Sequence, residues 1–123
     1  MKTFTDIMFE ATAPYDNPFQ GKDKRVLFVC SAGILRSATA ARIYAKKYNT
    51  RCAGSAPYAL VPLSANLLAW AQEVVFVNKE NYEDACKDWE FLQDVTILDI
   101  PDQYPHMHPE LIKAFEEQYE HVD

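Results

Sequence analysis

The chain has 123 residues, 49% of them hydrophobic and 24% charged, with a formal net charge of −6 and three cysteines. That length predicts one domain with a single sizeable core. The acidic balance excludes a general nucleic-acid binder, which needs a basic face, yet it leaves room for one small phosphate at a local positive site.

Residues 1–24 carry Pro14, Pro18 and Gly21 among scattered aromatics, without helical or strand periodicity, and read as an arm preceding a domain over 25–123. Its aromatics are expected to pack on the domain surface; a partner-binding or lid role is the sharper alternative. Val26 to Val29 predicts a first strand. Ser37 to Tyr48 places Ala38, Ala41, Tyr44, Ala45 and Tyr48 at helical spacing, with Asn49 as a stop. Arg51 to Ala53 predicts a short second strand. Ser64 is suited to cap a helix carrying Leu67, Leu68 and Ala71, after which Val74 to Val77 predicts strand three. Asn81 to Phe91 predicts a helix, Val95 to Leu98 strand four, and Pro109 the first turn of a last helix. Short apolar strands alternating with helices imply an α/β fold, a doubly wound parallel sheet covered on both faces.

No apolar run is long enough to cross a bilayer, and the first six residues lack the apolar block of a secretory signal. The expectation is a cytoplasmic protein without membrane attachment. Sparse, odd-numbered cysteines fit a reducing compartment better than a disulfide framework.

The most informative segment runs Val26-Leu27-Phe28-Val29-Cys30-Ser31-Ala32-Gly33-Ile34-Leu35-Arg36-Ser37. A cysteine, five residues and an arginine arise by chance in many chains, so the context carries the argument. An apolar strand ends at Cys30, Gly33 sits mid-loop where a left-handed backbone fits, and helix-forming residues follow Arg36. A thiolate attacks phosphorus only when ionised near neutral pH, and a helix N-terminus with a nearby guanidinium favours that state. In this reading Cys30 is the nucleophile, and the backbone amides of Ser31, Ala32, Gly33, Ile34, Leu35 and Arg36 cradle the phosphate with the Arg36 fork. Ser37 either donates to the thiolate or simply caps the helix. Such ligands bind beyond the carboxyl ends of parallel strands, where Cys30 lies.

Phosphoryl transfer also needs an acid for the leaving oxygen. The segment Leu98-Asp99-Ile100-Pro101-Asp102-Gln103-Tyr104-Pro105 follows strand four and emerges at the same sheet edge. Asp102, farther out between two prolines, is the expected acid; Asp99, at the strand end, is the alternative. His106 and His108 are too few for a metal site, and His108 reads as punctuation before Pro109. No metal or cofactor is expected.

These residues resemble the low-molecular-weight protein tyrosine phosphatases, and most closely a compact bacterial and phage branch of them. The likeness covers roughly residues 24–115. It rests on Arg25-Val26-Leu27-Phe28-Val29-Cys30-Ser31, Leu35-Arg36-Ser37-Ala38-Thr39-Ala40, Ala53-Gly54-Ser55-Ala56-Pro57, Leu68-Ala69-Trp70-Ala71, and Leu98 to Tyr104 with Pro109-Glu110-Leu111. The resemblance implies a three-layer fold with four parallel strands in the order 2-1-3-4. It also implies a metal-independent phosphatase acting on phosphorylated protein or a small aryl phosphate, releasing inorganic phosphate, with Tyr104 and Tyr58 as pocket walls. The chain departs from the family at four positions: Gly33 replaces an asparagine, Cys52 a serine, Leu35 a second loop cysteine and Gln103 a proline. Glycine adopts positive φ unaided, so the loop is expected to keep its shape without the family's hydrogen-bond network. Cys52 is the candidate redox partner for Cys30 in place of the missing loop thiol. The competing readings are a phosphate- or phosphopeptide-binding module without turnover and an arsenate reductase.

Overall fold

The structure, a computed structural model, describes residues 24–31, 36–45, 47–56, 59, 62–100 and 107–119. The expectations placed on the 1–23 arm, on Ala32, Gly33, Ile34 and Leu35, on Tyr58, and on Asp102, Gln103 and Tyr104 lie outside the described residues.

The described elements alternate as expected: β1 (Arg25–Cys30), α1 (Arg36–Ile43), β2 (Asn49–Gly54), α2 (Ala65–Trp70), β3 (Glu73–Phe76), α3 (Lys79–Cys86), β4 (Asp94–Ile97) and α4 (Pro109–Gln118). The strands form one four-stranded parallel sheet in the order β2-β1-β3-β4. The doubly wound topology expected from the resemblance is therefore the observed one. Period-two alternation along β1 divides the core into two layers. Val26, Phe28 and Cys30 face α1 and α4, where Ala40, Tyr44, Leu111, Phe115 and Tyr119 join them. Leu27 and Val29 face the other way, toward Leu67, Ala71 and Ala85 of the α2 and α3 layer. Phe28 stacks on Tyr44 at 5.8 Å between ring centroids and meets Tyr119 edge-on at 5.6 Å. Each such fully buried side chain contributes about 1.5–3 kcal/mol.

Several boundaries differ from expectation, each for a local reason. β2 is longer than its apolar core because all six residues pair with β1, from Arg25↔Asn49 to Cys30↔Gly54. Its polar residues are absorbed: the Thr50 hydroxyl donates to the Ala41 carbonyl at 2.7 Å, and the Arg51 guanidinium lies 5.2 Å from the Trp70 ring centroid. Burial lowers the Arg51 pKa from its ordinary value. α3 begins two residues early because Asn78 caps it, its side chain accepting from the Asn81 amide at 3.2 Å. It ends at Cys86, and Phe91 lies past it, edge-on to Phe76 at 5.3 Å. α1 ends at Ile43, though turn bonds from Tyr44 to Ala40 and from Tyr48 to Tyr44 prolong its path. Ser64 caps α2 and Pro109 opens α4, both as read from sequence. Among the described residues no helix is long and apolar enough to cross a membrane.

Candidate active site

In a sheet ordered 2-1-3-4, the segments leaving β1 and β3 turn to opposite faces, which opens a crevice between the carboxyl ends of these neighbouring strands. Cys30 ends β1 at that crevice. Backbone bonds hold the rim beyond the regular strands: Ser55 N–H donates to the Cys30 carbonyl at 2.8 Å, Ala56 N–H to Ser31 at 3.1 Å, and Val77 N–H to Val29 at 2.9 Å. The nucleophile candidate therefore stands on a rigid edge.

Four sequence-derived site residues converge here: Cys30, Ser31, Arg36 and Ser37. The Cys30 Sγ lies 3.0 Å from the Ser37 Oγ, on the second residue of α1. Ser37 is buried, so its hydroxyl contacts sulfur as well as starting the helix. Arg36 is only 2% exposed; its Nη1 donates to the Ile100 carbonyl at 3.0 Å and its Nη2 to the Ser31 Oγ at 3.2 Å. A buried guanidinium is tolerated when oxygen acceptors meet its N–H groups, and these two bonds fix the plane of the fork.

The two ends of the segment expected to carry the acid are anchored to the same helix. Arg36 holds the carbonyl of Ile100, immediately before residues 101–106, and the Met107 N–H, immediately after them, donates to the Thr39 Oγ1 at 2.8 Å. Met107 has φ 63°, a left-handed conformation that costs a non-glycine residue about 1–2 kcal/mol. Asp99 is exposed, and it is the backbone of Asp99 that is clasped: Gln118 accepts from its N–H at 2.6 Å and donates to its carbonyl at 2.7 Å. His108 caps α4 as expected, its Nδ1 accepting from the Glu110 N–H at 3.1 Å.

Cys52 is buried under α1, packed by Ala38 and Ala41. Burial pushes its thiol up to about 12, the neighbouring Cys30 sulfur adds to the rise, and a hydrogen bond with Ser37 and the charge of Arg51 oppose it. Cys52 is therefore a neutral thiol at physiological pH. All three cysteines are free, Cys86 being the exposed one.

One site residue was invisible in the sequence. Asn81, in the first turn of α3 and 2% exposed, reaches across the crevice and donates from Nδ2 to the Ser31 Oγ at 3.1 Å and the Ser55 Oγ at 3.3 Å. In the sequence it looks like an ordinary polar helix residue; only the Asn78-x-x-Asn81 pattern marks a helix start beside strand three. Comparison with protein-family models, with curated proteins and with solved structures returns no match.

Proposed function

We propose that this chain is a cysteine-dependent phosphatase that hydrolyses aryl phosphate monoesters, phosphotyrosine among them, through a cysteinyl-phosphate intermediate. The observation that carries the reading is the juxtaposition of Cys30 Sγ with Ser37 Oγ at 3.0 Å, beside the buried Arg36, at the open end of the parallel sheet. The motifs shared with low-molecular-weight protein tyrosine phosphatases point the same way.

In the first step the Cys30 thiolate attacks phosphorus in line, the S–P bond forms, and the aryl P–O bond breaks. The Arg36 guanidinium and the backbone amides of residues 31–36 meet the charge on the equatorial oxygens. Asp102 protonates the departing phenolate, and the anchors at Ile100 and Met107 tie its segment to the helix that carries Arg36. In the second step Asp102 takes a proton from water, water attacks phosphorus, the S–P bond breaks, and Ser37 hydrogen-bonds the departing thiolate. A thiol nucleophile of this kind works only in its reduced form, so the proposal includes a cytoplasmic, reducing setting.

Hydrolysis of p-nitrophenyl phosphate in the presence of a chelator tests the reading. Activity abolished in Cys30→Ser and slowed in Asp102→Ala is the expected result. Saturable phosphate binding without turnover would instead make the chain a phosphate-binding module. Arsenate reduction needs a resolving thiol, and Cys52, held neutral by burial, is poorly suited to that task. Cys86 lies at the end of α3, which packs on the other face of the sheet from Cys30.

A further inference from the structure

Asn81 is a buried polar group beside the proposed site that the proposed chemistry leaves without a task. Its amide donates both bonds to serine hydroxyls, those of Ser31 and Ser55, while its own Oδ1 is buried with no hydrogen-bond partner. Natural interiors rarely tolerate such a carbonyl. Turning the amide over would only exchange the problem: Oδ1 would accept from both serines, and the two Nδ2 protons would take its buried position. The observed orientation leaves the serine protons to be used elsewhere.

The valence of Ser31 shows where. Its Oγ accepts from Asn81 Nδ2 at 3.1 Å and from Arg36 Nη2 at 3.2 Å. A hydroxyl oxygen has two acceptor positions and one proton, so two incoming donors leave Ser31 with a donating role. Ser31 directly follows Cys30 and is half-buried at the crevice, with the guanidinium of the anion site as one of its two donors. We infer that Asn81 is a positioning residue that, together with Arg36, holds the Ser31 hydroxyl as a hydrogen-bond donor to the oxyanion bound at Cys30. The inference rests on the phosphatase reading only through the anion site, because it concerns phosphate binding and requires no turnover. The two donors approach Ser31 from opposite faces of the sheet, Arg36 from α1 and Asn81 from α3. The serine is thereby oriented only when both layers are packed.

The test is a double-mutant cycle on the full chain with inorganic phosphate as the probe, measured by calorimetry and by competitive inhibition of p-nitrophenyl phosphate hydrolysis. Asn81→Ala and Ser31→Ala should each weaken phosphate binding about tenfold, the worth of one hydrogen bond to a charged group. The double variant should be no weaker than either single one. The loss should fall on KM and on the phosphate inhibition constant, with kcat little changed, because ground and transition states share the bond. Asn81→Asp, whose carboxylate would draw the Ser31 proton toward itself, should bind phosphate more weakly than Ser31→Ala. It also serves if Asn81→Ala fails to fold. Wild-type affinity in either Asn81 variant, or single losses that multiply in the double variant, overturns the inference while leaving the phosphatase reading intact. A wild-type chain that neither binds phosphate nor hydrolyses the ester overturns both.

Discussion

Glu73, at the amino end of β3, and Asn81, just past its carboxyl end, are both polar side chains sunk in the core, and their surroundings treat them differently. The Glu73 carboxylate is 7% exposed; it accepts from the Tyr119 hydroxyl at 3.0 Å, the Thr96 hydroxyl at 2.6 Å and the Lys24 ammonium at 2.9 Å. Both oxygens are used, and the hydrogen bond to Glu73 raises the Lys24 pKa above its ordinary 10.5. This node closes on itself and ties β3, β4 and α4 together. At the other end Asn81 keeps a buried carbonyl without a donor while its Nδ2 donates to the Ser31 and Ser55 hydroxyls. A closed polar node does structural work, whereas the open one lies at the carboxyl ends of the strands, where the proposed function needs a ligand.

Substitutions at the two nodes should separate activity from stability. The largest effect belongs to the open end: Cys30→Ser should lower aryl phosphate hydrolysis by at least about a thousandfold with no loss of fold, read by steady-state kinetics beside a urea melt. Residual activity near wild type would move the nucleophile elsewhere. At the closed end, Glu73→Ala removes the buried acceptor shared by the Tyr119 and Thr96 hydroxyls and should cost about 3 kcal/mol in urea denaturation, with turnover per folded molecule unchanged. Little of that cost is attributable to the Lys24 pair, because the lysine side chain is 42% exposed. A loss below about 1 kcal/mol would remove the distinction between the nodes.

The sheet was legible because most of its strands are apolar and its helices begin with recognisable signals, Ser64, His108 and Pro109 among them. β2 was only half legible, since Thr50 and Arg51 are polar residues whose burial depends on the Ala41 carbonyl and the Trp70 ring. The segment proposed to carry the nucleophile stood out because strand, cysteine, arginine and helix are contiguous. Asn81 did not, because its partners are 50 and 26 residues away and a polar residue on a short helix ordinarily faces water. Glu73 was hidden the same way: a carboxylate at a strand start gives no sign that a tyrosine 46 residues on will bond to it.

Cys52 tests whether the core beside the open node is dry. Its thiol would release a proton near the ordinary 9.0 in the unfolded chain but holds it to about 12 when folded. Because the folded pKa is raised, its contribution is fully present below pH 9 and lost as pH rises toward 12, the unfolded state being the one that releases the proton. Wild-type stability should fall relative to Cys52→Ser by about 1 kcal/mol per pH unit across that window. Parallel curves would mean that water reaches the sulfur. Thiol labelling of the native chain should modify Cys86 quickly and Cys52 only on unfolding.

The smallest effect concerns the link between α3 and the crevice. Asn78→Ala removes the cap that accepts the Asn81 amide at 3.2 Å and should cost about 1 kcal/mol of stability, recovered by Asn78→Asp or Asn78→Ser. That cap also fixes the turn from which the Asn81 side chain reaches Ser31, so the same variant should weaken phosphate binding by about two- to threefold, since only part of one hydrogen bond is lost. The two losses discriminate between two ways of holding Asn81. If stability drops while phosphate affinity stays at the wild-type value, the packing of Ala85 against the Leu67 and Phe76 layer sets its position, and the cap serves the helix alone. If both fall and both return with Asn78→Asp, the start of a short helix on one face of the sheet adjusts the anion site on the other.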